Sequence, residues 1–227
     1  MNRDIIILAK SRKHNNYCVA GKDIKTGEWI RLVSDDRTIH NAIKGSDLVY
    51  NNNEEANVLD VVRVVVKNIN EDNKIFYQPE NYILDDNYYL LHLEKKNSEY
   101  LDKIMDNDDL IFFNDSNCVS NIELHNVREI NSLILVEPEI VKVKKKNYNT
   151  LWANIRYNNI WYNNLTITDT SFTSKFYENI SNDYNGTNFY DLKLVISLGE
   201  EFNGYHYKLI ASIIEPDNIL AFNEMDF

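Results

Sequence analysis

Ile5-Ile6-Ile7-Leu8-Ala9-Lys10, Tyr17-Cys18-Val19-Ala20-Gly21-Lys22-Asp23-Ile24 and Trp29-Ile30-Arg31-Leu32-Val33-Ser34 are three short runs rich in β-branched and aromatic residues. Such residues fit a pleated, half-buried surface. Lys25-Thr26-Gly27-Glu28 punctuates the second and third runs as a tight turn. The spacing predicts a meander of neighbouring strands. Val58 to Ile69 follows, with valine at 61, 62, 64, 65 and 66. It is too β-branched for a comfortable helix and long enough to bend around a barrel.

Further along, residues 85–109 allow one helix or two short ones, with Tyr88, Leu91, Leu101 and Ile104 apolar and Ser98 as an N-cap. Asp106-Asn107-Asp108-Asp109 reads as a solvated acidic loop. Strand chemistry resumes at Leu133 to Lys144, then at Leu151 to Tyr157, Ile160 to Thr168, Phe189 to Ser197 and Tyr205 to Glu215. Asn158-Asn159 and Asn203-Gly204 are hairpin turns. Thr170 to Tyr177 is a short helix lying across the second set of strands. Strands, a short helical stretch and strands again, twice over, is the pattern of five-stranded barrels with one helix between strands, of which the OB-fold is the best known. The fold class expected is therefore mostly β, with two OB-like five-stranded barrels in tandem. The boundary falls near residues 126–132, giving an N-terminal half over 1–128 with a short helical insertion and a C-terminal half over 129–227.

Composition agrees. A chain of 227 residues, 44% hydrophobic, can build two domains of roughly 110 residues, each with its own core. The 34 Asn tolerate left-handed backbone and can do the turn work that the 6 Gly cannot cover, although AT-rich codon bias also explains such a count. A net charge of −11 argues against general affinity for duplex nucleic acid, which needs a positive field. Cys18 and Cys118 show no zinc spacing and form no disulfide framework. No metal and no cofactor is expected. The apolar N-terminal stretch is too short for a signal sequence, and no run approaches a membrane span. The expected location is the cytoplasm, in a prokaryotic cell, with no membrane partner.

The motifs Leu8-Ala9-Lys10-Ser11-Arg12-Lys13, Tyr17-Cys18-Val19-Ala20-Gly21 and Gly27-Glu28-Trp29-Ile30-Arg31-Leu32-Val33-Ser34 resemble the N-terminal signature of the dual OB-containing domain family of prokaryotic proteins. Leu32 stands where that family usually has Pro. Leu165-Thr166-Ile167-Thr168-Asp169 resembles a second signature, with Thr170 in place of a Pro. Ser197-Leu198-Gly199-Glu200-Glu201-Phe202 with Tyr205-His206-Tyr207-Lys208-Leu209-Ile210-Ala211 resembles a third. The resemblance implies two OB folds and, by analogy alone, ligand binding.

Candidate binding residues start with a local charge excess. Residues 1–31 carry seven cations (Arg3, Lys10, Arg12, Lys13, Lys22, Lys25, Arg31) against Asp4, Asp23 and Glu28, an excess of four. Trp29 and Arg31 lie two apart on a strand and so share a face. An aromatic beside a guanidinium, with Arg12 and Lys13 in the neighbouring turn, suits base stacking plus phosphate contact. The plainer reading makes Trp29 a core residue and pairs Arg31 with a carboxylate. Lys208, in an otherwise apolar strand with Tyr205 and Tyr207 on the opposite face, either meets an anion or snorkels outward into solvent. Lys142, Lys144, Lys145 and Lys146, with Tyr148 and Trp152 nearby, line a nucleic-acid groove or protect a sheet edge.

For catalysis only Cys18 with His14 offers a nucleophile and base, and a strand cysteine is ordinarily a small hydrophobe. Three functions follow. The first is a binding module without catalytic activity of its own, for single-stranded nucleic acid or a nucleotide-like anion held by Arg12, Lys13, Trp29, Arg31 and Lys208. The second is a protein-interaction subunit of a prokaryotic defence or DNA-processing system, with a protein partner. The third is a nucleotide-acting enzyme using Cys18 and His14.

Overall fold

A computed structural model describes residues 1–13, 15–69, 74–127, 130–147, 149–181 and 186–217. The first half is built on β1 (Asn2–Lys13), β2 (Asn16–Asp23), β3 (Trp29–Val33), β4 (Asp60–Lys67), β5 (Asn81–Leu84) and β6 (Leu91–Lys95). The sheet runs β1-β2-β3-β5-β4 and closes by pairing β4 back to β1, while β6 adds to β4 outside the ring. Pairs are antiparallel except β3 with β5. This is the OB barrel order, with strand 3 beside strand 5 and strand 1 shared between strands 2 and 4.

Strand β1 explains why Ile5 to Leu8 does not alternate. Its first residues pair with β4 and the rest with β2, with a bulge between Ile7 and Ala9. Ile5 and Ile7 face the barrel interior beside Val19, Ile30, Leu32, Val62 and Val64. Ile6 and Leu8 face outward, into an apolar seam against the second half. A strand buried on both faces reads as a continuous apolar run. Gly21 sits where β2 crosses this bend: a Cβ there would lie 2.0 Å from the Ile6 carbonyl oxygen.

The second half contains β7 (Cys118–Ser120), α1 (Asn121–His125), β8 (Leu133–Val136), β9 (Ile140–Asn147), β10 (Thr150–Tyr157), β11 (Ile160–Ile167), α2 (Thr170–Phe176), β12 (Thr187–Phe189), β13 (Lys193–Phe202) and β14 (Tyr205–Ile214). The order β9-β10-β11-β14-β13 repeats that of the first barrel, again with a parallel pair, β11 with β14. The equivalent of β1 is split in two. β8 pairs with β13 and β9 pairs with β10, joined through Glu137-Pro138-Glu139. Pro138 has no amide hydrogen to give a ladder, so the strand breaks where β1 merely bends. Helix α2 lies between β11 and β13 in the chain, capped by Asp169, whose carboxylate accepts from Phe172 N.

The mostly-β, dual-barrel expectation holds. Both Asn turns form as read, with Asn158, Asn159 and Asn203 at φ 50, 64 and 53. Among the described residues, eight of the thirteen non-glycine residues at positive φ are Asn, so asparagine does carry turn conformations here. Other stretches differ. Residues 85–109 hold strand β6 and a 3-10 segment, Ser98–Lys103, in place of one or two helices; the cap is Asn97, whose side chain accepts from Tyr100 N. Phe189 to Ser197 is two strands, interrupted where Asp191 takes φ 56.

The chain enters the second half early. β7 pairs with β14, and Ile111, Phe112, Val119 and Leu124 lie in the second core. Residues 128 and 129, where the boundary is expected, lie outside the described residues. Between the halves runs a third apolar cluster, with Ile6, Leu8, Ala20, Trp29 and Val61 on one side and Leu133, Leu135, Val195 and Ala211 on the other.

Candidate site in the cleft between the halves

The carboxylates that the fold brings up disperse the basic excess of residues 1–31. Arg3 pairs with Asp23 at 3.2 Å, Lys10 with Glu55 at 3.0 Å and Lys25 with Asp4 at 3.8 Å. Lys22 is buried between the Ile104 carbonyl and Asp106. Lys13 reaches across to Glu200 at 2.6 Å. Arg12 alone of the seven is exposed with no hydrogen bond or ion pair to the described residues.

Trp29 and Arg31 share the outward face of β3, as their spacing requires, but that face is closed by the second half. Trp29 is 7% exposed, inside the seam, and its indole donates to Asp106 Oδ2 at 3.0 Å. Its ring is therefore not open for base stacking. Asp106, read as solvated, instead joins the halves: it takes Lys22, Trp29 and the Leu135 amide. The clue lay in a lone buried-strand lysine and an indole, both of which need an acceptor when buried.

Arg31 is held by Glu80, with Nε and Nη2 each 3.4 Å from Oε1, and donates to Ser132 Oγ at 2.7 Å. Ser132 in turn donates to the same Glu80 oxygen. Glu80 Oε2 is buried with no hydrogen-bond partner among the described residues. Beyond this cluster opens a cleft of two adjoining cavities, of about 230 and 430 Å³, which share Lys13, Cys18, Arg31, Gln78 and Glu200. The larger adds Asp35, Arg37, His40 and Lys74 as charged or titratable groups, and Tyr17 and Tyr77 as aromatic walls. Asn81 lies on its floor, 8% exposed; its amide donates to Gln78, and its oxygen Oδ1 has no partner among the described residues.

The smaller cavity gathers residues from motifs far apart in the chain. Ser11, Arg12 and Lys13 come from β1, Cys18 and Ala20 from β2, and Arg31 from β3. Thr168 comes from the Leu165–Asp169 motif; Ser197, Leu198, Gly199 and Glu200 come from β13, and Leu209 and Ala211 from β14. Arg12, Lys13 and Arg31 are thus brought together; Trp29 and Lys208 are not with them. Lys208 points into the second barrel, 1% exposed, rather than outward. Its ammonium donates to Asn114 O and Oδ1 at 2.8 Å each and lies 4.9 Å over the Tyr162 ring.

Cys18 lines both cavities, but burial raises its thiol pKa, with Lys13 and Arg31 opposing the shift. A thiol kept protonated is a poor nucleophile. Its suggested base, His14, lies outside the described residues, as does Tyr148. Of the lysine run, Lys145 sits 4.8 Å over Tyr177 and Lys146 sits 5.5 Å over Trp152. Among the described residues no group of His, Cys, Asp and Glu is placed to hold a metal ion, and no helix is long and apolar enough to cross a membrane.

A family model described as the dual OB-containing domain matches residues 3–213. No match was found among curated proteins. Among solved structures, the crystal structure of the tetrameric p202 HIN2 is similar at 10% identity, over 92% of this chain and 91% of that one, with a TM-score of 0.32. A likeness of that size carries no argument about this chain.

Proposed function

We propose, from the premise that the chain belongs to the dual OB-containing domain family, that it is a binding module without catalytic activity of its own. Its ligand is a nucleotide-like anion, free or presented by a single strand, taken in the cleft between the halves. One observation carries this reading: motif residues from both halves, from Ser11 to Ala211, line one cavity. A core would explain apolar convergence, but not the gathering of Lys13, Arg31, Gln78 and Glu200 around open space.

The chemistry suits such a ligand. Together the two cavities fall in the size range of small-molecule sites, about 300–1,000 Å³. Arg31 presents its guanidinium from a position fixed by Glu80 and Ser132, and Lys13 and Arg12 stand at the mouth. Tyr17 and Tyr77 line the cavity half-buried, Tyr17 with Lys10 over its ring and Tyr77 packed on His206, and their rings at the wall suit a flat base. The unpartnered Asn81 Oδ1 is a buried acceptor that an amino group of a base would satisfy.

The test is calorimetry or anisotropy with labelled mononucleotides over a salt series. Arg12→Ala combined with Lys13→Ala removes two cations without touching a buried ion pair, and should weaken binding and flatten its salt dependence. Unchanged affinity in that folded double variant would sink the proposal.

A second reading, a protein-interaction subunit, draws on a different surface. All five residues of edge strand β6 are exposed, and beside it Tyr88 and Tyr89 are 58% and 67% exposed. Unpaired strand edges with apolar side chains invite a partner strand. Recovery of one stoichiometric protein, lost on Leu91→Lys, would favour that reading.

A further inference from the structure

We infer that the outer face of β9, β10 and β11 is a second binding surface, for single-stranded nucleic acid, separate from the cleft. The inference does not need the cleft reading. Those three strands hold five cations (Lys142, Lys144, Lys145, Lys146 and Arg156) and no carboxylate, in a chain with 35 Asp and Glu. Such a segregation on an acidic protein creates a local positive field where a polyanion can settle without general stickiness.

Register places four of the five on one face with the aromatics. Lys144 is directly opposite Trp152, and Arg156 is directly opposite Trp161. Lys142 faces Asn154 between them. Val141, Val143, Leu151, Ala153 and Ile155 point into the barrel, so their neighbours point out. Lys146 lies over the Trp152 ring, and Trp161 is 42% exposed. The face thus offers two aromatic positions: Trp152 with Lys146 over its ring, and Trp161 as cross-strand neighbour of Arg156, whose Nη2 donates to Asn159 Oδ1 at 2.7 Å. They are set about 13 Å apart along β10, four residues at roughly 3.3 Å each. Bases stack on the rings while the lysines and Arg156 follow the phosphates.

The corresponding face of the first barrel shows the contrast. There Leu8, Ala20 and Trp29 are buried in the seam, and the two cations beside them, Lys22 and Arg31, are each taken up by a carboxylate, Asp106 and Glu80. One barrel uses this face to hold the halves together. The other leaves it lined with cations, which a protein–protein seam of the same kind would have to desolvate at a cost.

The experiment is fluorescence anisotropy of labelled dodecameric oligothymidylate and oligouridylate with the full chain, over a salt series. Lys144→Gln with Lys146→Gln should reduce the salt slope by about 1.4, at roughly 0.7 per phosphate contact on a single strand. Trp161→Ala, at an exposed position, should weaken binding about tenfold, the scale of one lost base stack. Both effects should persist in excess unlabelled mononucleotide, which fills the cleft and leaves this face open to the strand. Absence of oligonucleotide binding at the lowest salt overturns the inference, whatever the cleft does. So does binding lost in the Arg12, Lys13 variant but kept in Trp161→Ala. A dimer that Trp161→Ala dissociates, with no oligonucleotide bound, would make the face a contact between copies of the chain and overturn it as well.

Discussion

Lys13 and Glu200, 187 positions apart, meet at 2.6 Å across the mouth of the cleft. Glu200 is 61% exposed at its side chain, so the pair is solvent-screened and worth about 0–1 kcal/mol. Glu200→Gln should leave the denaturation midpoint nearly unchanged. It should also free Lys13 for an anion, raising affinity for a nucleotide severalfold at low salt and less at high salt. Calorimetry on the two proteins checks this. Equal or weaker affinity in Glu200→Gln would mean that Lys13 does not face the ligand.

Arg31 behaves differently because its partner is buried. The Glu80 side chain is 2% exposed, and one of its oxygens already lacks a partner. Arg31→Ala leaves a carboxylate and Ser132 without their cation, at a cost of about 3–5 kcal/mol. Adding Glu80→Gln should restore part of that loss, since the two changes are coupled. Urea unfolding with an unchanged m-value measures both. Loss of ligand in Arg31→Ala alone therefore does not identify a binding residue.

Asp106 should be among the least replaceable acids. Asp106→Ala strips Lys22, 4% exposed, of the carboxylate it is bonded to and leaves the Trp29 indole and the Leu135 amide without that acceptor. The expected cost is about 3–5 kcal/mol. Asp106→Asn keeps an oxygen for Trp29 and Leu135 and should fall between. Thermal unfolding followed by tryptophan fluorescence tests the order; an Asn variant as damaged as the Ala variant would place the energy in the Lys22 pair alone.

These residues show what a sequence discloses and what it hides. The strands of both barrels are legible because β-branched and aromatic runs end at Asn and Gly turns, and positive φ at Asn158, Asn159 and Asn203 needs residues that tolerate it. Strand β6 is not legible. All five of its residues are exposed, so it has no alternation, and the spacing of Tyr88 and Leu91 happens to fit a helix. The site is half legible. Arg12, Lys13 and Arg31 are local in the chain and converge. Their charge balance is set by Glu80 and Glu200, and that of Lys22 by Asp106, which only the tertiary fold delivers. Trp29 shares Arg31's face, as period two demands, yet period two does not say whether a face meets solvent or a second barrel.

Lys208 has the most testable pH dependence in the chain. The same alternation sends Tyr205 and Tyr207 outward, 46% and 40% exposed, and Lys208 inward. Its surroundings are Tyr162 and the Asn114 oxygens, with Cys118, Asp115 and Glu123 the charged or titratable groups that act on it. Burial pushes its pKa down from 10.5 to about 7, and those three groups recover only part of the shift. Between these two values the unfolded chain binds a proton that the folded chain has released. Stability should therefore rise with pH across that window, with a slope approaching about 1.4 kcal/mol per pH unit. Below about pH 7 both states are protonated and the full desolvation penalty is present. Lys208→Met removes the titration and keeps most of the volume. Relative to it, the wild type should lose ground as pH falls from 9 toward 7 and run parallel below 6.5. Urea midpoints of both proteins across that range decide the matter. Parallel curves throughout would mean that Asn114 and the Tyr162 ring keep the buried ammonium charged at its ordinary pKa.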